Sequence, residues 1–191
     1  MPPSTWPPVT RDVPCTDEIR NLPFDNVQWY IGDLGPTAIH TYYEFTYVWS
    51  SPTFDVSDPR VVFNDTDAPL TATFMSQKSH TFTVEVSASA QAKLSMVIMA
   101  TLTTRFAWSW TTQVGVTAST VVAPHQTVHG DYGVNAYYLM TADRVVTWVE
   151  PPEQVGGDPG EECTETTGQV TRNIPTTEEG WHIYVKQPNP F

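Results

Sequence analysis

Residues 81–110 read TFTVEVSASAQAKLSMVIMATLTTRFAWSW, and this stretch decides the fold. Every even-numbered position from 82 to 102 is apolar, whereas the odd positions are mostly Ser, Thr, Gln, Glu and Lys. After a break at Thr104, the pattern resumes in the same phase at Phe106, Trp108 and Trp110. Such alternation predicts a β-strand with one apolar face. It continues here far beyond the roughly 3–10 residues of an ordinary strand.

A helix competes with the strand over residues 88–102. Ala, Gln, Lys, Leu and Met are good helix formers, and the region from Leu70 to Val114 contains no Gly, Pro, Asn or Asp to mark a turn. A helix would spread the apolar residues around its circumference, whereas a strand collects nearly all of them on one face. We therefore expect strand, least regular at 94–102, because Val97 and Met99 interrupt the polar face.

The rest of the chain also favours β-structure. Further segments rich in β-branched and aromatic residues predict strands; they are 29–31, 38–50, 60–64, 70–74, 127–140, 143–150 and 180–186. Breaks are expected at 51–59, 64–69, 123–126 and 151–165, where turn residues cluster. We expect short helical turns only in the N-terminal third. The predicted fold is all-β, an elongated and mostly antiparallel sheet or sandwich with unusually long strands.

The length of 191 residues suits one continuous domain. Within it we distinguish an aromatic-rich β region with a Pro-rich leader (1–59), a long-strand core (60–149) and an acidic Pro/Gly-rich loop with a closing strand (150–191).

Charge is distributed unevenly along the chain, whose formal net charge is −12. Residues 68–142 carry only two acids and three bases, while the flanking regions are acidic. A nucleic-acid partner would require a basic patch, so none is expected. The two cysteines, Cys15 and Cys163, predict one disulfide and an oxidising, extracellular compartment. The sequence contains neither a signal-peptide pattern nor an apolar run of transmembrane length.

Three interpretations of the long alternation remain open. It suits a soluble sandwich with one wet face. It suits strands that pair between copies of the chain, giving a structural or interaction protein that assembles without a membrane. It also suits a hairpin that inserts into a membrane, since residues 81–92 and 103–114 each reach the length of a transmembrane strand. In that case Ala90→Asp is expected to abolish insertion while the monomer stays folded.

The inserting hairpin has three sets of residues. The apolar face consists of Phe82, Val84, Val86, Ala88, Ala90, Ala92, Phe106, Trp108 and Trp110. The polar face consists of Thr81, Thr83, Glu85, Ser87, Ser89, Gln91, Thr103, Arg105, Ser109 and Thr111. The apolar tip consists of Leu94, Met96, Val97, Ile98, Met99 and Leu102. Trp108 and Trp110 are of the type found at membrane interfaces.

Three successive segments have a distinctive character: FNDTDAPLTATF (63–74), the amphipathic stretch after it, and SWTTQVGVTASTVVAPHQTVHGDYGV (109–134), with Pro124 in the break between two strands. Together they resemble the pore-forming module of aerolysin-like toxins, in particular the epsilon-toxin/mosquitocidal-toxin group. TATF, TVHGDYGV and PTTEEGW (175–181) also resemble small secreted actinobacterial β-proteins. The resemblance implies an elongated β-fold, homo-oligomeric rings and membrane lipid as a partner.

Other chemistries have weaker support. No nucleophile motif or convincing carboxylate pair is present, so we expect no enzymatic activity, cofactor or metal. Exposed aromatic rings can stack on sugars, which leaves a glycan-binding module as a further interpretation. The candidates for that role, and for a surface glycan as partner, are Trp29, Tyr30 and Tyr42.

Overall fold

The computed structural model describes residues 7–32, 35–102, 104–150 and 160–185. In these ranges the chain forms β1 (Val9–Asp12), α1 (Asp17–Arg20), β2 (Asn26–Gly32), β3 (Gly35–Phe63), β4 (Leu70–Met75), β5 (Thr81–Thr83), α2 (Ala88–Thr101), β6 (Ser109–Thr111), β7 (Thr117–Val122), β8 (Thr127–Glu150) and β9 (Glu162–Val185). β3 is 29 residues long, and β8 and β9 have 24 each. The predicted all-β class with unusually long strands is confirmed, as is a helical turn near the N-terminus.

The strands form one large and two small sheets. The large sheet has the order β1-β9-β8-β3-β2, while β4 pairs with β7 and β5 with β6. The pairs β1–β9, β2–β3, β4–β7 and β5–β6 are all antiparallel. Breaks occur at 64–69 and 123–126 as predicted, because turn residues there satisfy backbone groups that the strands leave unpaired.

The loop predicted at 51–59 is wrong, since β3 runs through it without interruption. β2 pairs with β3 only from Gly35 to Thr41, so beyond Thr41 β3 lies at the edge of the described sheet. Proline is tolerated on an edge strand because the missing N–H has no ladder partner there. Pro52 and Pro59 therefore do not end the strand. The Pro-rich leader up to residue 6 lies outside the described residues, as do residues 151–159 of the break predicted at 151–165. From Glu162 onward that predicted break is wrong, because β9 begins there.

The chain divides into two compact units. Unit 1 comprises Met1–Ser50, Glu85–Thr103 and Leu139–Arg172. Unit 2 comprises Ser51–Val84, Thr104–Tyr138 and Asn173–Phe191.

Unit 1 contains the disulfide between Cys15 and Cys163, which confirms the predicted pairing. A row of charged side chains crosses four of its strands. Arg11 on β1 and Arg144 on β8 both bond to Glu165 on β9, at 2.5 and 2.7 Å, and Arg144 also reaches Glu44 on β3 at 3.4 Å. Hydrogen bonds from the two arginines hold the pKa of Glu165 below its ordinary value. Ion pairs along this row thus connect β1, β9, β8 and β3 within unit 1.

Unit 2 has an apolar core in which Phe74 and Val122 pack with Ala72 and Val128. One polar residue and one glycine fix the backbone around it. The buried amide of Asn64 donates to Ala68 O and Val122 O and fixes the turn at 64–69. Gly133 is required by close approach, since a Cβ there would collide with the carbonyl of Asp55.

Asp58 fixes the connection between β4 and β5 in unit 2. Its carboxylate is buried and accepts hydrogen bonds from the backbone N–H of Gln77 at 2.6 Å and from the Arg60 guanidinium at 3.0 Å. Burial alone would raise the pKa of Asp58, but these donors outweigh it and hold the pKa below its ordinary value. The segment leading into β5 is therefore anchored by a charged group.

Candidate functional site

The two arms of the alternating segment pair with each other in unit 2. β5 and β6 are in register from Thr81 with Thr111 to Thr83 with Ser109. On their exposed face the hydroxyl groups of these two pairs are bonded at 2.8 and 3.2 Å. These four polar residues therefore form two hydroxyl pairs across the arms.

The apolar face of the arms is covered within unit 2. Phe82 and Trp110 are opposite each other and partly buried. The indole N–H of Trp110 donates to Glu179 Oε2 at 3.1 Å. Burial, with Glu179 nearby, raises the pKa of Tyr132 to about 12, so this phenol remains neutral. Trp110 is thus held by a specific polar contact as well as by packing.

The return arm is also tied to β9. The backbone N–H of Ala107 donates to Pro175 O at 2.9 Å, and that of Thr177 donates to Arg105 O at 3.2 Å. Phe106 forms a bridge with Thr176. Thr103, assigned from the sequence to the polar face, lies outside the described residues.

The strand expected over residues 88–102 is wrong, and the competing helix forms instead as α2. Successive even-numbered residues are about 200° apart on a helix, so a period of two alternates between opposite sides. One half of the even set is buried: Ala90, Leu94, Ile98 and Leu102. The other half is exposed: Ala88, Ala92, Met96 and Ala100. In the helix, the exposed even-numbered residues therefore lie opposite the buried ones. In a strand, both groups would lie on the same face.

One cation holds α2 in unit 1. The ammonium of Lys93 lies 3.0 Å from Asp25 Oδ2, donates to Tyr43 O at 2.7 Å and lies 3.8 Å from the centre of the Tyr42 ring. Asp25 Oδ2 also accepts from the backbone N–H of Tyr43 at 2.8 Å. We call Asp25, Tyr42, Tyr43 and Lys93 the lysine clasp. All three kinds of contact converge on a single charged side chain.

The ends of α2 lack the usual stabilising groups. The N-cap residue Ser87 makes no side-chain cap bond to the helix, the first turn has no acid, and the last turn has no base. Ser87 Oγ and Ser89 Oγ instead lie 3.3 and 3.4 Å from Tyr43 Oη. A good N-cap is worth about 1 kcal/mol. The contacts that hold α2 are therefore those of the lysine clasp and those of the buried stripe, our name for Ala90, Leu94, Ile98 and Leu102.

The lysine clasp was not predicted from the sequence. Lys93 is the sole charged residue between 86 and 104, but isolation alone does not identify a partner, because Lys78 is the sole charged residue between 68 and 84. Which residue serves as partner depends on the tertiary fold, and neither Asp25 nor Tyr43 could be chosen from spacing alone.

The three glycan-binding candidates do not form one platform. Trp29 and Tyr30 are exposed neighbours on β2, so their side chains point to opposite faces of the strand. Tyr42 is partly buried, and the Lys93 ammonium covers its ring. Only Trp29 and Tyr30 are therefore available to a partner at the surface.

In the described ranges there is no group of three potential metal-ligating side chains. No helix there is long and apolar enough to cross a membrane.

Comparison with protein-family models and with curated proteins gave no match. Among solved structures, a match is to the parasporin-2 toxin of Bacillus thuringiensis, described as recognising cancer cells. The identity is 11%, the TM-score is 0.31, and the match covers 83% of this chain and 75% of that one. A TM-score of 0.31 is too low for the match to establish what this chain does.

Proposed function

We propose that this chain is a secreted, non-enzymatic β-protein that assembles into oligomers and inserts residues 81–114 into a membrane as a β-hairpin. In this conversion α2 unfolds from unit 1 and becomes a continuation of the arms that start at β5 and β6. The disulfide supports an oxidising, extracellular location. The resemblance of the flanking segments to aerolysin-like modules supports the same interpretation.

The division of the apolar residues of α2 is the observation that carries the proposal. As a helix, the segment exposes Ala88, Ala92, Met96 and Ala100 to solvent. As a strand, the same residues lie on one face with Ala90 and Leu94, while the other face carries Ser, Gln and Lys up to position 95 and then Val97 and Met99. A transmembrane strand requires this separation of a lipid-facing side from a watery side. The sequence is therefore better sorted for the strand than for the helix.

The way α2 is held supports a low barrier to this conversion. The helix lacks an N-cap bond and favourable charges at its ends. The lysine clasp and the buried stripe hold it in unit 1. The arms are already paired in the correct antiparallel register, so extension needs no new strand order.

The experiment compares two neighbouring variants, Ala88→Asp and Ser87→Asp. Both residues are exposed at the start of α2, where a negative charge is favourable, so both monomers should fold. In the inserted strand, position 88 faces lipid and position 87 faces the watery side. We expect Ala88→Asp to reduce dye release from liposomes at least tenfold, and Ser87→Asp to leave it nearly unchanged.

Ala90→Asp is not a suitable test, contrary to the expectation from the sequence. Ala90 lies on the buried side of α2, so a carboxylate there would disturb the soluble fold. Equal loss of dye release in Ala88→Asp and Ser87→Asp would contradict an alternating lipid-facing strand. No dye release by the unmodified protein, with ordered particles in plain buffer, would favour assembly without insertion.

A further inference from the structure

The β2–β3 hairpin ends in a cluster of large exposed side chains. Trp29 is 66% exposed, Tyr30 54% and Ile31 92%. They are consecutive in β2, which is an outer strand of the large sheet. The register carries Ile31 opposite Pro36, one pair before Gly32 and Gly35. We call residues 29–31 the aromatic tip. Three consecutive large residues with more than half of their surface in water indicate an interaction surface.

The aromatic tip exposes both sides of its strand. Trp29 and Ile31 point to one side and Tyr30 to the other, because successive residues of a strand alternate. A rigid partner docked on one side would leave the other in water. A fluid interface surrounds the end of a hairpin and covers both sides together. The geometry therefore favours a lipid surface over a folded protein or a sugar ring stacked on one side.

The charge around the aromatic tip selects the kind of lipid. Residues 26–43, which include β2 and the part of β3 paired with it, contain one acid and no Lys or Arg. Such a segment has nothing to draw it to an anionic membrane, since attraction to anionic lipid depends on clustered basic residues. Trp and Tyr are the residues that favour the headgroup region of a bilayer. An uncharged or zwitterionic headgroup layer meets both conditions.

We propose that the aromatic tip is a docking site for a zwitterionic phospholipid surface, with Trp29 and Ile31 entering the interface from one side and Tyr30 from the other. This docking gives the proposed insertion of residues 81–114 a first contact with the membrane, and to that extent it rests on the proposed function. Binding through the aromatic tip nevertheless differs from release of vesicle contents, so the two can be measured separately.

The test is flotation of the full chain with phosphatidylcholine vesicles. We expect the unmodified protein to float with the vesicles, and Trp29→Ser/Ile31→Ser to lose at least tenfold in binding. The matched control is Val121→Ser, because Val121 is 68% exposed on β7 of unit 2 and should not contribute. Added phosphatidylserine should not strengthen binding, and salt should not weaken it.

A second measurement locates the indole. Brominated phosphatidylcholine should quench part of the protein fluorescence, and Trp29→Phe should lose this quenched part while it retains binding. Absence of flotation by the unmodified protein would overturn the docking site, as would unchanged flotation of Trp29→Ser/Ile31→Ser. Binding that requires phosphatidylserine, or binding to soluble glycans without flotation, would also overturn it and assign the tip to another ligand.

Ala88→Asp separates the two proposals. It should float with vesicles as the unmodified protein does, while its dye release is reduced at least tenfold. Dye release that does not depend on the aromatic tip would overturn docking alone. Flotation that depends on the aromatic tip, without dye release by any variant, would overturn insertion alone.

Discussion

The arms at 81–84 and 108–111 and the helix α2 share one alternating pattern but differ in structure. The arms are extended and paired, whereas residues 88–101 are helical. The arm sequence TFTV consists of β-branched and aromatic residues, while ASAQAKLSM in the helix consists mostly of Ala, Gln, Lys, Leu and Met. The comparison teaches that a period of two permits a strand, and that composition decides whether the strand forms.

The same comparison explains why α2 is not a typical amphipathic helix. Residues that are four apart, such as Ala90, Leu94 and Ile98, lie on one side and are buried. Residues two positions away, such as Ala92 and Met96, lie on the opposite side and are exposed. An apolar pattern with the period of a strand thus buries only half of its apolar residues when it folds as a helix.

The strongest test of this division is Leu94→Ala. Leu94 is fully buried, and loss of a buried leucine typically costs about 2–5 kcal/mol of unfolding free energy. Met96→Ala is the matched control, because Met96 is 59% exposed and its loss should cost well under about 1 kcal/mol. Urea denaturation followed by far-UV circular dichroism measures both. Similar losses in the two variants would mean that the even residues are not divided between two sides.

An intermediate effect is expected from the lysine clasp. Lys93→Met removes the ion pair with Asp25 and the bond to Tyr43 O, and hydrogen bonds to charged groups contribute about 1.5–3 kcal/mol. Since the clasp is only partly buried, we expect about 2 kcal/mol or less, together with faster proteolysis within 88–101.

Lys78→Met is the control for the lysine clasp, because Lys78 is exposed and its ammonium forms no ion pair among the described residues. Limited proteolysis followed by mass spectrometry should show protection of α2 in this variant. If Lys93→Met and Lys78→Met are equally resistant, packing of the stripe alone holds α2.

The smallest effect is expected from composition alone. Ala88→Thr/Ala92→Thr changes two exposed positions of α2 to a β-branched residue and should lower helix stability by about 1 kcal/mol in total. Ala88→Gln/Ala92→Gln keeps good helix formers and should cost less. Hydrogen exchange of the amides of residues 92–98 measures the difference. Greater protection in the Thr variant than in the Gln variant would contradict the role of composition.

Much of the fold could be predicted because its signals are local. Turn residues at 64–69 and 123–126 mark real breaks, and the two cysteines have only each other as partners. The continuity of β3 through Pro52 and Pro59 could not be predicted, since it depends on where β2 stops pairing. Whether a strand lies at the edge depends on its neighbours in the sheet, and the sequence of the strand alone does not show it.

The candidate site divides in the same way. Pairing of the arms follows from matching alternation on both sides of the segment. The position of α2 in unit 1 depends on contacts with Asp25 and Tyr43, which are remote from it in sequence. The exposure of Trp29 and Tyr30 was likewise undetermined, because an aromatic strand residue is compatible with a core or with a surface.

The disulfide makes most of the chain a closed covalent ring. Cys15 and Cys163 are 148 positions apart, and residues 81–114 lie entirely inside the ring. A single break of the backbone within those residues opens the ring but detaches nothing, because both new ends remain joined through the sulfur bridge. A cut within residues 81–114 would therefore free the segment to move without releasing any fragment of the protein.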